Sequence, residues 1–557
     1  MAKAKVAEDL LCALIQDDPE SVDGSLLLNG EFQEILDVAV ERMNDDQKLF
    51  YESMINDDNS RRFNFLSGLP GTGKSYLEKA LHLYLAIKKE ECDKDPDNVQ
   101  FQNFDYLCVA PTNYIAFQQQ GITIHKALRG ACDKLKIANY KIEEDLVQAI
   151  TLAKFATSLE LKRMTVPELE RVILRYFNMC DDFSPDNYIA HLSKSCLAVK
   201  TILIDEGSMV SSLLLAMLSV HYPQSKFIIM YGPNQLPPIN DFPSCDEAFD
   251  DNSDQTFFHS LQTQMRFDSE CSVFNDFVAF FSDYLSGKVD QNDKLAKIKY
   301  FYNALSIGGT LDDYQKLSED KILIVSTNKQ RCQENDFRLL KEKRIGRIYE
   351  IDAIYDNKKL KNYNIESNLG IDKKLKITIG VKCIVKCNDL NNGLIKGMVV
   401  EIIDVIENSF GQVDEILVKT SRNNKILSVR RYSFDVRGDT VQQFPLALFY
   451  SLTAHSTQGK TLDCKVGVSI TFLGGNEILY KKAFFVAVTR IRHPKQLFMN
   501  KHPVFFLEPS LSINTLRDIE EVEQDINDKP QLKKQKMDIP LTSLYNVSKL
   551  VQYVKTC

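Results

Sequence analysis

Eight consecutive residues, Gly68-Leu69-Pro70-Gly71-Thr72-Gly73-Lys74-Ser75, constrain this 557-residue chain more than any other feature. They follow an apolar stretch, Phe63-Asn64-Phe65-Leu66, that reads as a buried strand. They precede Tyr76-Leu77-Glu78-Lys79-Ala80-Leu81, which reads as a helix. The glycines let backbone N–H groups turn inward around a phosphate, with Thr72 inside the same loop. Lys74 reaches the outer phosphates, and the Ser75 hydroxyl stands at the helix N-terminus, where a magnesium ion is ligated. A strand, this loop and a helix in that order predict an α/β fold, a parallel sheet flanked by helices, that binds a nucleoside triphosphate.

A second signal lies downstream. Leu197-Ala198-Val199-Lys200-Thr201-Ile202-Leu203-Ile204 is the β-branched, apolar run of a buried parallel strand, and it ends in Asp205-Glu206. Carboxylates at the C-terminal edge of such a strand divide the labour of phosphoryl transfer. Asp205 is the candidate magnesium ligand, and Glu206 the group that orients the attacking water. Lys226-Phe227-Ile228-Ile229-Met230 reads as a further buried strand, running into Tyr231-Gly232-Pro233-Asn234-Gln235-Leu236-Pro237-Pro238.

Composition narrows the class without fixing the partner. With 44% apolar and 26% charged residues the chain is ordinary globular material, not fibrous or disordered. No run of 18 apolar residues exists, and acids interrupt the N-terminal apolar stretch, so the expectation is an intracellular protein without membrane span or secretion signal. The 13 cysteines form no CxxC pair and read as reduced, mostly buried thiols. A net charge of -8 argues against whole-surface attraction to nucleic acid but leaves room for a locally basic channel.

Taken with Ser451-Leu452-Thr453-Ala454-His455-Ser456-Thr457-Gln458-Gly459-Lys460-Thr461 and Phe485-Val486-Ala487-Val488-Thr489-Arg490-Ile491-Arg492, the QLPP segment resembles superfamily 1 (1B) DNA helicases, in the RecD-like and Pif-type branch. Further segments match in family order. Met43-Asn44-Asp45-Asp46-Gln47 resembles the adenine-reading segment, which implies that role for Gln47. Val109-Ala110-Pro111-Thr112 with Gly121-Ile122-Thr123-Ile124-His125 resembles the first DNA-contacting motif. Gln264-Met265-Arg266-Phe267 matches the arginine motif, and Val325-Ser326-Thr327-Asn328 a strand end of the second motor lobe.

The resemblance implies two RecA-like P-loop NTPase lobes with inserted small domains, one of them an SH3-like β-barrel. It implies Arg266 and Arg490 as cations supplied to the phosphates from the far lobe, and Gln235 as the sensor of the γ-phosphate. It makes Gln458-Gly459, in the second lobe, the link between hydrolysis and the strand. DNA contacts fall to Thr112, Thr123, His125 and Thr453. His455 reads as a histidine of a packed loop, not an acid or base. One departure stands out: where the family carries Gly-Asp, this chain has Tyr231-Gly232, so either the acid is replaced or the loop is one residue shorter.

These anchors give residues 1–42 as an accessory segment and 43–245 as the first lobe, with a helical insertion at about 130–195. The second lobe takes 246–330 and 445–510, a β-rich SH3-like insert takes 331–444, and a tail takes 511–557. Lys529-Pro530-Gln531-Leu532-Lys533-Lys534-Gln535-Lys536 in that tail reads as a linker or as a nuclear import signal. The expected function is ATP- and magnesium-dependent translocation on single-stranded DNA, 5′ to 3′ by resemblance, unwinding tailed duplex in replication, recombination or repair. The alternatives are an RNA helicase of the same superfamily and a nucleic-acid-stimulated ATPase that remodels without unwinding.

Overall fold

Strand β1 (Phe63–Gly68) lies inside a six-stranded parallel sheet, joined by β2 (Asp105–Ala110), β3 (Ile122–Thr123), β4 (Val199–Ile204), β5 (Lys226–Tyr231) and β6 (Thr256–Leu261) in the order β3-β2-β4-β5-β1-β6. In this computed structural model the described residues are 31–56, 61–94, 104–128, 142–179, 198–238, 255–265, 271–289, 304–341, 347–436 and 439–499, with short breaks within these spans and a few isolated positions besides. Arg266 and the tail from 511, with its lysine-rich stretch, lie outside them.

Apolar side chains on both faces make β1, β4 and β5 central. Phe63 stacks on Phe227 at 5.2 Å and Phe65 on Phe258 at 4.8 Å, each pair from neighbouring strands. The buried amide of Asn64 avoids a desolvation penalty by donating to the carbonyl oxygens of Arg61 and Phe227. Helices cover both faces. On one pack α1 (Phe32–Glu41), α2 (Asp45–Ile55) and α3 (Lys74–Lys94), which enclose Leu66, Leu203 and Ile228. On the other pack α4 (Ile142–Leu152), α5 (Val166–Met179) and α6 (Ser212–His221), over Phe63, Ile202 and Ile229. All ten residues of α6 are buried, so its Leu-rich sequence serves packing with no solvent face at all. The helical stretch after α4 stops where Lys154 turns left-handed (φ 61), and a Thr157–Glu160 capping box starts the next turn.

The structure corrects two boundaries. Within the accessory segment, 32–41 belongs to the first lobe: Ile35, Leu36 and Ala39 are core residues, and Tyr76 Oη donates to the Ala39 carbonyl. Residues 256–261, expected in the second lobe, pair with β1 over six positions and close the edge of the first sheet. Apolar content alone could not tell which sheet would claim this strand.

The described residues up to 265 form one compact unit with 327–452 and 458–460, and 271–326, 453–457 and 461–499 form another. Within the first unit, the β-rich insert contains a five-stranded antiparallel sheet and, besides it, a two-stranded and a three-stranded sheet. Val399–Glu407 pairs with Val413–Thr420 and with Lys382–Val385, and Leu446–Leu448 adds an edge past the expected end at 444. Its core is Cys383, Val385, Val400, Ile402, Ile416, Val418 and Phe444. In the second unit Lys321–Val325, Lys465–Ser469 and Leu497–Met499 run parallel, and Phe281 of the helix Ser272–Leu285 packs on Phe484 and Phe485 of the helix Glu477–Val488. No helix among the described residues is long and apolar enough to cross a membrane.

His82 on α3 is 4% exposed, with its ring edge-on to Tyr106 at 5.5 Å, and burial pushes its pKa down to about 4. In the unfolded chain it titrates near 6.5, so between pH 6.5 and 4 the unfolded state binds the extra proton. The stability that neutral His82 permits is present above that window and drains as pH falls through it, by at most ~3 kcal/mol. In urea melts at pH 7 and 5, His82→Phe should lose clearly less stability on acidification than the parent protein. An identical loss in both would reject the assignment.

Candidate nucleotide site

The glycine-rich loop runs from the end of β1 into α3. Thr72 Oγ1 donates to the Leu69 carbonyl at 2.9 Å, closing the loop on itself. Gly73 has φ 83, a left-handed backbone that favours glycine, and a Cβ built there would fall 2.3 Å from Gln47 Nε2. That contact is the place of Gln47. The side chain is 1% exposed, its Oε1 accepts from the Asn44 N–H in a capping box, and its Nε2 donates to the Thr72 carbonyl at 3.3 Å. Gln47 therefore braces the loop from α2. Gly68 and Gly71 flank the turn, and Met265 N–H donates to the Gly71 carbonyl at 2.8 Å.

Lys74 curls back over the loop and donates to the carbonyls of Gly68 (2.6 Å) and Leu69 (3.0 Å). Ser75 is exposed in the first turn of α3, where the helix dipole favours an anion. Across from the loop, β4 delivers Asp205 and Glu206. Asp205 Oδ1 accepts from the Glu206 N–H at 2.7 Å, and its Oδ2 accepts from Gln119 Nε2 at 2.6 Å. Burial, then the neighbouring Glu206 carboxylate, push the Asp205 pKa up to about 7, against the pull of Lys74. Glu206 sits at φ 51, a conformation that costs a non-glycine residue of order 1–3 kcal/mol and that collects at functional sites.

Gln235 is held by a turn. β5 ends at Tyr231, and Gly232-Pro233-Asn234-Gln235 is closed by the Gln235 N–H donating to the Gly232 carbonyl at 3.4 Å. Proline in second place and Asn234 at φ 62 in third give the pattern of a type II turn. A Cβ on Gly232 would lie 2.6 Å from Gln235 Cδ, so no acid fits there while Gln235 folds back.

Gln235 Oε1 accepts from Ser208 Oγ at 2.8 Å. Gln458 Nε2 lies 3.2 Å from Glu206 Oε2, 3.1 Å from Ser208 Oγ and 3.4 Å from Gln235 Oε1. Gly459 follows, against Ile115 and Glu206. Gln458-Gly459 was expected in the second lobe; the structure places both residues with the first compact unit, where the Gln458 amide nitrogen donates to Glu206 and its neighbours.

Further expected residues are scattered. The segment Gln264-Met265 was expected on the far lobe with Arg266, but it flanks the loop itself, with Gln264 Nε2 donating to the Pro70 carbonyl at 3.0 Å. Arg490, in the second unit, is buried and bonded to its own helix end: Nε donates to the Val486 carbonyl at 2.8 Å and Nη2 to Thr489 Oγ1 at 3.1 Å. Thr112 starts a helical turn, and Thr123 caps the turn that carries His125. Thr453 Oγ1 donates to Ser456 Oγ, and burial lowers the His455 pKa. Sequence reasoning missed Gln119, Ser208 and Glu78. Glu78 carried a signal, lying one helical turn beyond Lys74 on a face that turns inward; burial and then Asp205 hold its carboxyl well above the usual range. Gln119 carried none.

A magnesium ion fits this donor set. One hydroxyl and one carboxylate beside a phosphate cradle match the few protein ligands magnesium takes when phosphates supply others. Among the described residues no group of three or more His, Cys, Asp or Glu forms a separate metal cluster.

No family model matches the chain. It is 26% identical over 353 residues to the ATP-dependent DNA helicase Pif1 of Campylobacter jejuni, covering 56% of this chain and 71% of that protein. A structure of two coordinating Pif1 helicases, titled for DNA unwinding at forked duplex DNA, superposes with TM-score 0.53 at 18% identity over 87% of this chain and 97% of that one. Bacteroides Pif1 bound to single-stranded DNA superposes with TM-score 0.51 at 17% identity, again over 87% and 97%. At such identities the superpositions establish the fold.

Gly232→Ala should force the Gln235 side chain out of its turn, at a cost of about 1–3 kcal/mol for overpacking. Urea unfolding of the variant against the parent measures this directly, and equal midpoints would show that the turn gives way freely.

Proposed function

We infer that this chain is a superfamily 1B helicase of the Pif type, an enzyme that hydrolyses ATP to act on DNA. The observation that carries the mechanism is the convergence of Glu206, Gln235 and Gln458 on one set of hydrogen bonds beside a phosphate loop. The loop N–H groups and the N-terminus of α3 bind the triphosphate. Lys74, an ammonium now spent on two carbonyls, exchanges them for the outer phosphate oxygens. Ser75 and Asp205 hold magnesium, which when bound offsets the charge that develops on the phosphates.

Glu206 orients the attacking water. Its carboxylate is fixed from one side by the left-handed backbone and from the other by Gln458. Gln235 reports on the γ-phosphate, and any shift of it is felt by Ser208 and Gln458. Arg266 and Arg490 supply further positive charge during transfer. Gln47 holds Gly73 and the loop in shape beside the base.

Thr112, Thr123, His125 and Thr453 contact the backbone of single-stranded DNA, a mode of binding that tolerates sequence and weakens with salt. Translocation runs 5′ to 3′ and opens duplex ahead of it.

The test is unwinding of duplexes carrying a 5′ or a 3′ single-stranded tail, with ATP turnover followed in parallel. The 5′-tailed substrate should open and the 3′-tailed one should not. Lys74→Ala and Glu206→Gln should each cut turnover by about 100-fold or more, the scale for losing a group that stabilises the transition state. ATP consumed on DNA with neither duplex opened would leave a translocating or remodelling ATPase instead.

A further inference from the structure

We propose that Gln119 is a positioning residue of the metal–nucleotide site, holding the Asp205 carboxylate in its working orientation from the segment that links Thr112 to Thr123. The inference rests on the nucleotide reading of that site. An ionised carboxylate offers about four acceptor positions. Asp205 uses one on each oxygen, for the Glu206 N–H at 2.7 Å and for Gln119 Nε2 at 2.6 Å, which fixes the plane of the group and leaves positions on both oxygens for a cation. Hydrogen bonds to an ionised acceptor are the short, strong kind, and 2.6 Å is at the short end for an N–H donor.

The other half of the Gln119 amide points to function. Its Oε1 is buried and has no hydrogen-bond partner among the described residues. A side chain chosen for packing alone would not carry a buried acceptor without a donor, because leaving one unmade costs more than replacing the group by an apolar one of the same shape. The backbone beneath it is well tied. Ala116 N–H donates to Thr112 O at 3.0 Å, Gln119 N–H to Ile115 O at 3.1 Å and Gly121 N–H to Ala116 O at 2.8 Å, and then Ile122 and Thr123 pair with Val109 and Ala110. Gln119 thus lies in a hydrogen-bonded stretch between the two threonines proposed to meet DNA. A shift of that stretch moves the Asp205 carboxylate with it.

The experiment follows binding of a fluorescent ADP analogue as magnesium is titrated, on the full chain. The parent protein should bind the analogue more tightly as magnesium is added; if it does not, the nucleotide reading fails, whatever Gln119 does. Gln119→Leu, which keeps the shape and removes the unpaired acceptor, should keep its metal-free affinity for the analogue, while its magnesium midpoint rises about tenfold. In the Asp205→Asn background the same substitution should add nothing, since its partner is already altered. An unchanged midpoint overturns the proposal. So does a fall in metal-free affinity, which would assign Gln119 to packing, and so does full additivity with Asp205→Asn.

Discussion

Buried negative charge at the C-terminal edge of β4 is the constraint around which the rest of the site is arranged. Burial raises the proton affinity of Asp205 and of the inward-facing Glu78 of α3, and neighbouring carboxylates add to it, Glu206 for Asp205 and Asp205 with Glu206 for Glu78. Such a cluster survives only if hydrogen bonds and a cation offset it. The compensation comes from every side: the Glu206 N–H and Gln119 on Asp205, Gln458 on Glu206, and Lys74 acting on Asp205 through space.

Much of the fold serves to hold that edge still. Helices on both faces fix β4 between β2 and β5, and the Ser208–Gln235 hydrogen bond ties the turns after β4 and β5 together. The strain at Glu206 is sustained because the strand before it and the short helical turn at Gly207–Met209 leave its backbone no other path. Gly232 serves the same end by the space it leaves, since the missing side chain is where Gln235 folds.

The glycine-rich loop, the β4 run ending in Asp205-Glu206 and the β5 run before Gln235 were legible because each is a local rule: buried strands are continuously apolar, and phosphate loops need glycine at fixed offsets. Periodicity over Glu144–Leu161 and Val166–Phe177 marked helices there for the same reason, but not the break after Leu152. The boundaries at 43 and 246 were not legible. An apolar strand such as Thr-Phe-Phe-His-Ser-Leu fits either sheet, and α1 is amphipathic whichever surface it covers.

What the sequence by itself determined is the chemistry on offer: a phosphate loop, two carboxylates at a strand end, and a set of motifs whose order resembles one kind of motor. What only the tertiary structure decided is who touches whom. Gln119 reaches Asp205 across 86 residues of chain and Gln458 reaches Glu206 across 252. Neither glutamine differs locally from one on a solvated surface. Contacts of that span depend on how sheets and loops stack in space, and nothing in the residues between them encodes the distance.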